Sequence, residues 1–98
     1  MNMQNLMAQA QKMQRDINSK KEELENTDFT GKSEWVEVVF NGAKVMKKIT
    51  ILKSDLSSDD KEVLEDMIQL AVNDAYEQIN KALTEKLGQY AGVVDGLM

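Results

Sequence analysis

Residues 57–87 read SSDDKEVLEDMIQLAVNDAYEQINKALTEKL and predict the longest helix of the chain. The chain has no proline, and this stretch has no glycine before Gly88, where we expect a left-handed helix stop. Asp59 and Glu62 have the spacing of a capping box, which satisfies two free amides of the first turn. Acidic residues crowd the start of the stretch and lysines lie near its end, as the helix dipole favours.

The apolar residues of this helix form two neighbouring columns at spacings of three and four. The first column contains Leu64, Ile68, Ala71, Ala75 and Ala82, and the second contains Val72, Tyr76, Ile79 and Leu83. An apolar arc of this width is larger than one small sheet covers. We therefore expect one column to pack on a sheet and the other on a further element, with the alanines allowing close approach.

Another helix is predicted from Asn2 to about Asn26. Its apolar residues recur at close to 3.5-residue spacing, as in two helices packed side by side: Met3, Leu6, Ala10, Met13, Ile17 and Leu24. The opposite face is polar and weakly basic: Gln4, Ala8, Gln11, Lys12, Arg15 and Ser19. A solvated helix surface is the plainer interpretation of that face. The alternative is a surface that contacts nucleic-acid phosphates through Lys12 and Arg15.

The segment between the helices predicts a small antiparallel sheet. Residues 29–31 predict a short strand, residues 35–41 a second strand, and residues 44–52 the return strand. By strict alternation, one face of the second strand carries Val36, Val38 and Phe40. Asn41-Gly42 predicts the turn that follows, because both central positions of a two-residue type I′ turn need positive φ.

The return strand carries the densest basic group of the sequence and an irregular alternation. We allow a bulge at Val45-Met46, and one face of the strand is then predicted to carry Lys47, Ile49 and Ile51. The basic group consists of Lys44, Lys47, Lys48 and Lys53. Lysines on an edge strand discourage pairing with other chains, which is the plainer interpretation. A basic rim of the sheet that contacts an anion is the alternative.

These elements predict an α+β fold, in which a helix, a three-stranded antiparallel sheet and a second helix follow one another. The 98 residues suffice for one domain, which we place at residues 1–88, with residues 89–98 as a flexible C-terminal tail. One helix covers one face of such a sheet. The rest of the apolar surface calls for a second copy, so we expect a two-fold homodimer.

The composition excludes several kinds of chemistry. The chain has no cysteine and no histidine, which removes thiolate nucleophiles, Cys/His metal sites and the usual proton shuttle. Neither a glycine-rich phosphate loop nor a calcium loop is present, so we expect no enzyme activity, no cofactor, no metal and no small-molecule substrate. No apolar run approaches the length of a membrane span and no secretory signal is recognisable, so a cytoplasmic protein is expected. The net charge of −5 argues against a simple polycation that coats nucleic acid.

Three segments resemble the YbaB/EbfC family of bacterial nucleoid-associated proteins. Residues 5–14, NLMAQAQKMQ, resemble its N-terminal signature, and residues 60–75, DKEVLEDMIQLAVNDA, resemble its second-helix signature. Residues 36–51, with the Asn41-Gly42 turn, are similar to the family hairpin. The resemblance covers nearly the whole chain. It implies a homodimer joined through the sheet, projecting helical arms that bind duplex DNA, and a role in nucleoid organisation and gene expression.

The resemblance also implies which residues contact DNA. Lys12 matches the lysine of the first signature, and the other expected contacts are Arg15, Lys20, Lys21, Lys81 and Lys86. The chain departs from the family in having Ala8 where lysine is common and Glu34-Trp35 in a region that is commonly rich in glycine. We expect mainly phosphate contacts and weak sequence preference. A protein–protein adaptor of the same fold, docking through residues 93–98, is the alternative function.

Overall fold

The computed structural model describes residues 2–90, which form a three-stranded sheet flanked in sequence by two long helices. The elements are α1 (Met3–Glu25), β1 (Asp28–Lys32), β2 (Val36–Asn41), β3 (Met46–Ile51) and α2 (Lys61–Leu87). Short 3₁₀ segments, Ser58–Asp60 and Gly88–Tyr90, precede and follow α2. The strands are antiparallel in the order β1-β2-β3. The predicted α+β order and the predicted elements are therefore confirmed.

The core lies between α2 and the sheet. It contains Val36, Val38, Phe40, Ala71, Ala75 and Ile79, all at most 4% exposed. Gly31 of β1 sets the closest approach, because a Cβ atom there would lie 2.1 Å from the carbonyl oxygen of Ala71 and 2.7 Å from the amide nitrogen of Ala75. The alanines of α2 and the glycine of β1 together let the helix lie directly on the strand.

Two polar side chains of α2 fasten β1 to the helix. Asp74 accepts a hydrogen bond from the amide of Lys32 at 2.9 Å. Gln78 donates to the carbonyl oxygen of Thr30 at 2.7 Å. Each satisfies a backbone group of an edge strand, and an unpaired group of that kind is costly where water is excluded. The polar step at Gln78 in the apolar column is therefore part of the packing.

Both predicted ends of α2 need correction. The reciprocal cap joins Ser57 and Asp60, where the Ser57 amide donates to the Asp60 carboxylate at 3.0 Å, instead of Asp59 and Glu62. The chain makes a 3₁₀ turn here first, which moves the cap toward the N-terminus. Gly88 is not a left-handed stop, since its φ of −55° and ψ of −38° are right-handed. The chain continues into a 3₁₀ turn as far as Tyr90.

The turn after β2 is also different from the prediction. No described glycine has a positive φ; the left-handed residue is Lys44, with φ of 63°. The side chain of Asn41 accepts hydrogen bonds from the amides of Ala43 and Val45, at 2.9 and 3.1 Å, and holds a longer loop. Gly42 is required for another reason, because a Cβ atom there would lie 2.0 Å from the carbonyl oxygen of Leu24.

The bulge in β3 lies one residue beyond the predicted place. Phe40 pairs with Met46 and Val39 pairs with Lys48, so Lys47 is the additional residue. Met46 therefore shares a face with Ile49 and Ile51, and Lys47 does not, contrary to the prediction. Lys47 instead reaches the carboxylate of Asp28 on the other face of the sheet, at 3.1 Å.

The described part of the chain is elongated, with extents of 69 × 19 × 16 Å. The second half of α1 lies antiparallel to the end of α2, where Ile17 and Leu87 are buried beside Leu83 and Tyr90. The first half of α1 extends beyond this contact, and every side chain from residue 2 to residue 15 is exposed. Within the described residues, no helix is long and apolar enough to cross a membrane.

Candidate nucleic-acid interface

The projecting half of α1 carries two exposed cations, Lys12 and Arg15. Neither side chain lies within ion-pair distance of a carboxylate among residues 2–90. Asp16 is the only acidic residue among the first 21, which also contain Lys20 and Lys21. Four cations and one carboxylate give this segment a net charge of +3, in a chain whose net charge is −5. A local positive field therefore exists at this projecting half of α1 (residues 3–15, called the arm below) despite the acidic balance of the chain.

A polar cluster closes the base of the arm. The hydroxyl of Tyr90 donates to the carboxylate of Asp16 at 2.7 Å, and the ammonium of Lys20 lies 3.5 Å from the same carboxylate. The Lys20 ammonium also lies 5.7 Å from the centre of the Tyr90 ring. The Tyr90 hydrogen bond and the nearby cations, Lys20 foremost, lower the pKa of Asp16 from its ordinary value. This carboxylate therefore stays charged and holds the end of α2 against α1.

A second contact between the helices involves Lys86, whose ammonium lies 2.9 Å from a carboxylate oxygen of Glu23. Lys86 and Lys20 thus hold internal ion pairs, and an anion would have to compete for them.

Lys21 is half-buried and lies beside Glu22 and Glu25. Lys81 is exposed on α2. The structure therefore places Lys12 and Arg15 around one cleft, with Lys20 beside the Asp16 and Tyr90 that also line it. Lys81 lies on another part of α2.

The cleft lies where α2 ends against α1. It is lined by Gln9, Lys12, Met13, Arg15, Asp16 and Tyr90. Guanidinium and ammonium groups there can pair with phosphate oxygens, and the Gln9 amide can donate a further hydrogen bond. Among the described residues, no group of three or more potential metal ligands is gathered in one place. The groups that this surface presents are suited to an anion.

The lysines of the sheet are mostly engaged within the protein. Lys47 pairs with Asp28, and Lys53 lies 3.9 Å from the carboxylate of Asp60. Lys53 also lies 4.7 Å from the ring centre of Trp35. Such cation–π contacts contribute about 0.5–2 kcal/mol depending on how far they are desolvated. These contacts give Lys47 and Lys53 partners within the protein, which an anion would have to displace.

The side of β3 that continues the core is uncovered. Its residues on the α2 side are Met46, Ile49 and Ile51, which are 38–44% exposed because α2 packs on β1 and β2. Leu52, Leu56, Val63 and Leu70 are also exposed. An edge strand with unpaired backbone groups and an apolar face is a template for pairing with another strand.

Sequence reasoning did not single out Asp16, Glu23 or Tyr90. Tyr90 was assigned to the tail, whereas the structure places it in the 3₁₀ turn after α2; residues 91–98 lie outside the described part. A signal for Asp16 was available, because a lone carboxylate among four cations indicates a specific contact. No signal in the sequence identified Tyr90 as its partner, since the two residues are 74 positions apart.

The fold and this surface define an α+β protein whose projecting cationic helix suits an anionic partner. The sequence matches the YbaB/EbfC DNA-binding family over residues 1–94. The chain therefore belongs to the YbaB/EbfC family of nucleoid-associated, DNA-binding proteins, and the resemblance noted from its signatures is confirmed. The family is defined by DNA binding and is not a class of enzymes.

Individual relatives support the same family. A nucleoid-associated protein of Lactococcus lactis subsp. cremoris is 44% identical over 92 residues, which cover 92% of this chain and 93% of the relative. One of Streptococcus equi subsp. zooepidemicus is 44% identical over 94 residues, covering 94% and 95%. The crystal structure of HP0035 from Helicobacter pylori shares the fold, with a TM-score of 0.72 at 23% identity, covering 100% of this chain and 99% of that one.

Proposed function

We propose that the protein acts as a homodimer that binds duplex DNA mainly through phosphate contacts, with weak sequence preference. The observation that carries this proposal is the cationic, projecting half of α1 in a member of a DNA-binding family. Lys12 and Arg15 have no competing carboxylate within ion-pair distance among residues 2–90, so they are the principal contacts. Lys21 and Lys81 add cations elsewhere on α1 and α2, whereas Lys20 and Lys86 exchange an internal ion pair for a phosphate.

The proposed dimer joins two copies through β3. Pairing of two β3 edges would satisfy their backbone groups and extend the apolar face across both sheets. The exposed side chains of Met46, Ile49 and Ile51 would then be covered, together with apolar residues at the start of α2. Two arms would point away from the joint sheet, so each dimer would present four principal cations to one duplex.

The distribution of charge on the chain determines which surface DNA approaches and how binding depends on salt concentration. Most carboxylates lie outside the first 21 residues, so they repel DNA from the rest of the surface and orient the arms toward it. If Lys12 and Arg15 of both protomers each neutralise one phosphate, log K falls with log salt concentration at a slope of roughly −3.6. Contacts to phosphate carry no sequence information, which accounts for the weak preference.

The experiment is fluorescence anisotropy of labelled duplexes, titrated with protein at several salt concentrations. We expect Lys12→Glu to weaken binding and to make the slope shallower by roughly two units in a dimer, because two phosphate contacts are lost. The matched control is Lys61→Glu, which makes the same charge change at an exposed lysine of α2 and should have a much smaller effect. Equal effects of the two variants would show that net charge alone governs affinity.

The dimer has its own control. Ile49→Lys places a charge on the exposed apolar face of β3, and light scattering should then report monomers where the wild type forms dimers. Monomeric arms should bind DNA more weakly, because two linked sites gain affinity from their effective concentration. A wild-type protein that is monomeric at all concentrations would refute the β3 dimer and leave the arm proposal standing.

A DNA-bound protein of this family would act in the nucleoid and influence gene expression there. The alternative function, an adaptor that docks through residues 93–98, falls outside the described residues. No contact within residues 2–90 favours it. Binding of duplex DNA by a variant that lacks residues 91–98, with unchanged affinity, would separate the two functions.

A further inference from the structure

An apolar stripe runs along the projecting half of α1 and is not covered by any residue of the described part. It consists of Met3, Leu6, Met7, Ala10 and Met13, with exposed fractions of 74% at Met3 and 59% at Met7. The stripe continues the line of Ile17 and Leu24, which are buried at 1% and 2%. At 1.5 Å per residue, the uncovered part of α1 is about 20 Å long.

The stripe has the composition of a helix–helix contact instead of a solvated surface. Its spacing of three and four continues, without a break, the seam through which α1 packs antiparallel to α2. The residues beside it include the uncharged amides Gln9 and Gln14. Lys12 and Arg15 lie on the opposite side of the helix, because neither falls on the three-and-four spacing of the stripe. The apolar stripe and these two cations therefore lie on largely separate faces, which meet at Met13 in the cleft.

Side-chain size favours one arrangement for a partner helix of the same sequence. In an antiparallel pair centred near Ala8, Met3 would lie opposite Met13, and the large Leu6 would lie opposite the small Ala10. The cations of the two copies would then lie at opposite ends of the contact. A parallel pair in register would instead place Leu6 against Leu6 and Ala10 against Ala10, so that large side chains meet large ones and small side chains meet small ones.

We propose that the apolar stripe of α1 binds the same stripe of a second copy, antiparallel, as a tip-to-tip contact between arms. The contact is continuous with the seam already formed by α1 and α2. Two helix faces of this length bury less than the roughly 1,000 Å² expected of a stable interface. The contact is therefore weak in free solution and gains strength where DNA holds many arms close together. Because the cations lie on the other face, one arm can hold DNA and a second copy at once.

The first test measures association in the absence of DNA, so that it does not depend on the proposed function. Sedimentation equilibrium over a wide range of protein concentrations measures the apparent mass of the wild type. With increasing concentration, this mass should rise from that of the smallest oligomer toward twice that value. Leu6→Asp should stop this rise, since it puts a charge in the middle of the stripe. The matched control is Gln4→Asp, which adds the same charge to the opposite face of the same exposed segment and should leave the rise unchanged.

The second test uses the absence of native cysteine to establish orientation. Single-cysteine variants Leu6→Cys and Ala10→Cys are mixed and oxidised, and the antiparallel pair predicts that the mixed disulfide forms faster than either symmetric one. Faster symmetric disulfides would overturn the antiparallel arrangement. Ile49→Lys should leave this cross-link intact, which separates the tip contact from the β3 dimer.

Two results would overturn the proposal altogether. One is a wild-type mass that does not change with concentration, together with identical behaviour of Leu6→Asp and Gln4→Asp. The other is a rise in mass that appears only after residues 91–98 are removed, because the stripe would then be covered by that segment of the same chain. Circular dichroism of Leu6→Asp checks that the helix is retained, and the cross-linking result stands without that variant.

Discussion

The two halves of α1 share one sequence pattern and differ in what covers them. Residues 16–25 bury Ile17 and Leu24 against the end of α2 and against the hairpin, whereas residues 3–15 project with all their side chains exposed. The spacing of apolar residues is the same in both halves. Among residues 2–90, α2 and its 3₁₀ turn extend along α1 as far as Asp16, where Tyr90 is hydrogen-bonded. Periodicity therefore predicts the helix, and the length of the neighbouring element decides which part is covered.

The largest effect is expected on the free energy of unfolding. A substitution in the covered half of α1 should lower it much more than one in the exposed half. Ile17→Ala removes buried methyl groups and should lower the free energy of unfolding by about 2–5 kcal/mol. Leu6→Ala, in the exposed half, should change it by less than about 0.5 kcal/mol. Chemical denaturation followed by circular dichroism measures both values. Equal losses in the two variants would mean that the exposed half is covered in solution.

A smaller effect should come from the place where the hairpin meets the covered half of α1. Gly42→Ala introduces a Cβ atom 2.0 Å from the Leu24 carbonyl oxygen, and the backbone must move to admit it. We expect a loss of about 1–3 kcal/mol, the range typical of overpacking. Ala43→Gly, at the next and exposed position, is the control for loop flexibility. An unchanged denaturation midpoint in Gly42→Ala would show that α1 is not held against the hairpin.

The smallest effect concerns the cluster at the border between the halves. Tyr90→Phe removes the hydrogen bond to Asp16 and should destabilise the protein at neutral pH, by less than Ile17→Ala does. The pKa of Asp16 is lowered in the folded protein, so its contribution is present above the ordinary carboxyl pKa of about 4 and is lost as the pH falls through the folded value. The difference between wild type and Tyr90→Phe should therefore vanish in acid. A difference that persists there would assign the role of Tyr90 to packing alone.

The fold could be predicted to a large extent because its local signals agree. The long periodic stretch of α2, the alternation of Val36 and Val38, and the turn residues after β2 each indicate one structure. Details that depend on distant contacts could not be predicted. Gly42 was assigned to turn geometry, whereas the structure requires it because the hairpin lies against the carbonyl of Leu24. The bulge lies at Lys47 instead of the predicted Val45-Met46, and the Lys47 side chain reaches Asp28, 19 residues away.

The candidate site was predictable in part. The cations of α1 were recognised by their residue type and by the family signatures. Burial and long-range pairing could not be recognised, since the fold brings Glu23 to Lys86 across 63 residues. The Lys20–Asp16 pair is local, with its members four positions apart on α1. The sequence contains the charges of the site, and the packing of α2 against α1 determines which of them remain available to DNA.

The most direct test of the central claim, that the projecting half of α1 contacts DNA, is an NMR titration of the labelled protein with a short duplex. We predict that the largest changes in backbone amide shifts fall around Lys12 and Arg15 and extend toward Lys20, with small changes in β3. Shift changes concentrated around Lys47 and Lys48, with α1 unaffected, would contradict the account and assign DNA binding to the sheet.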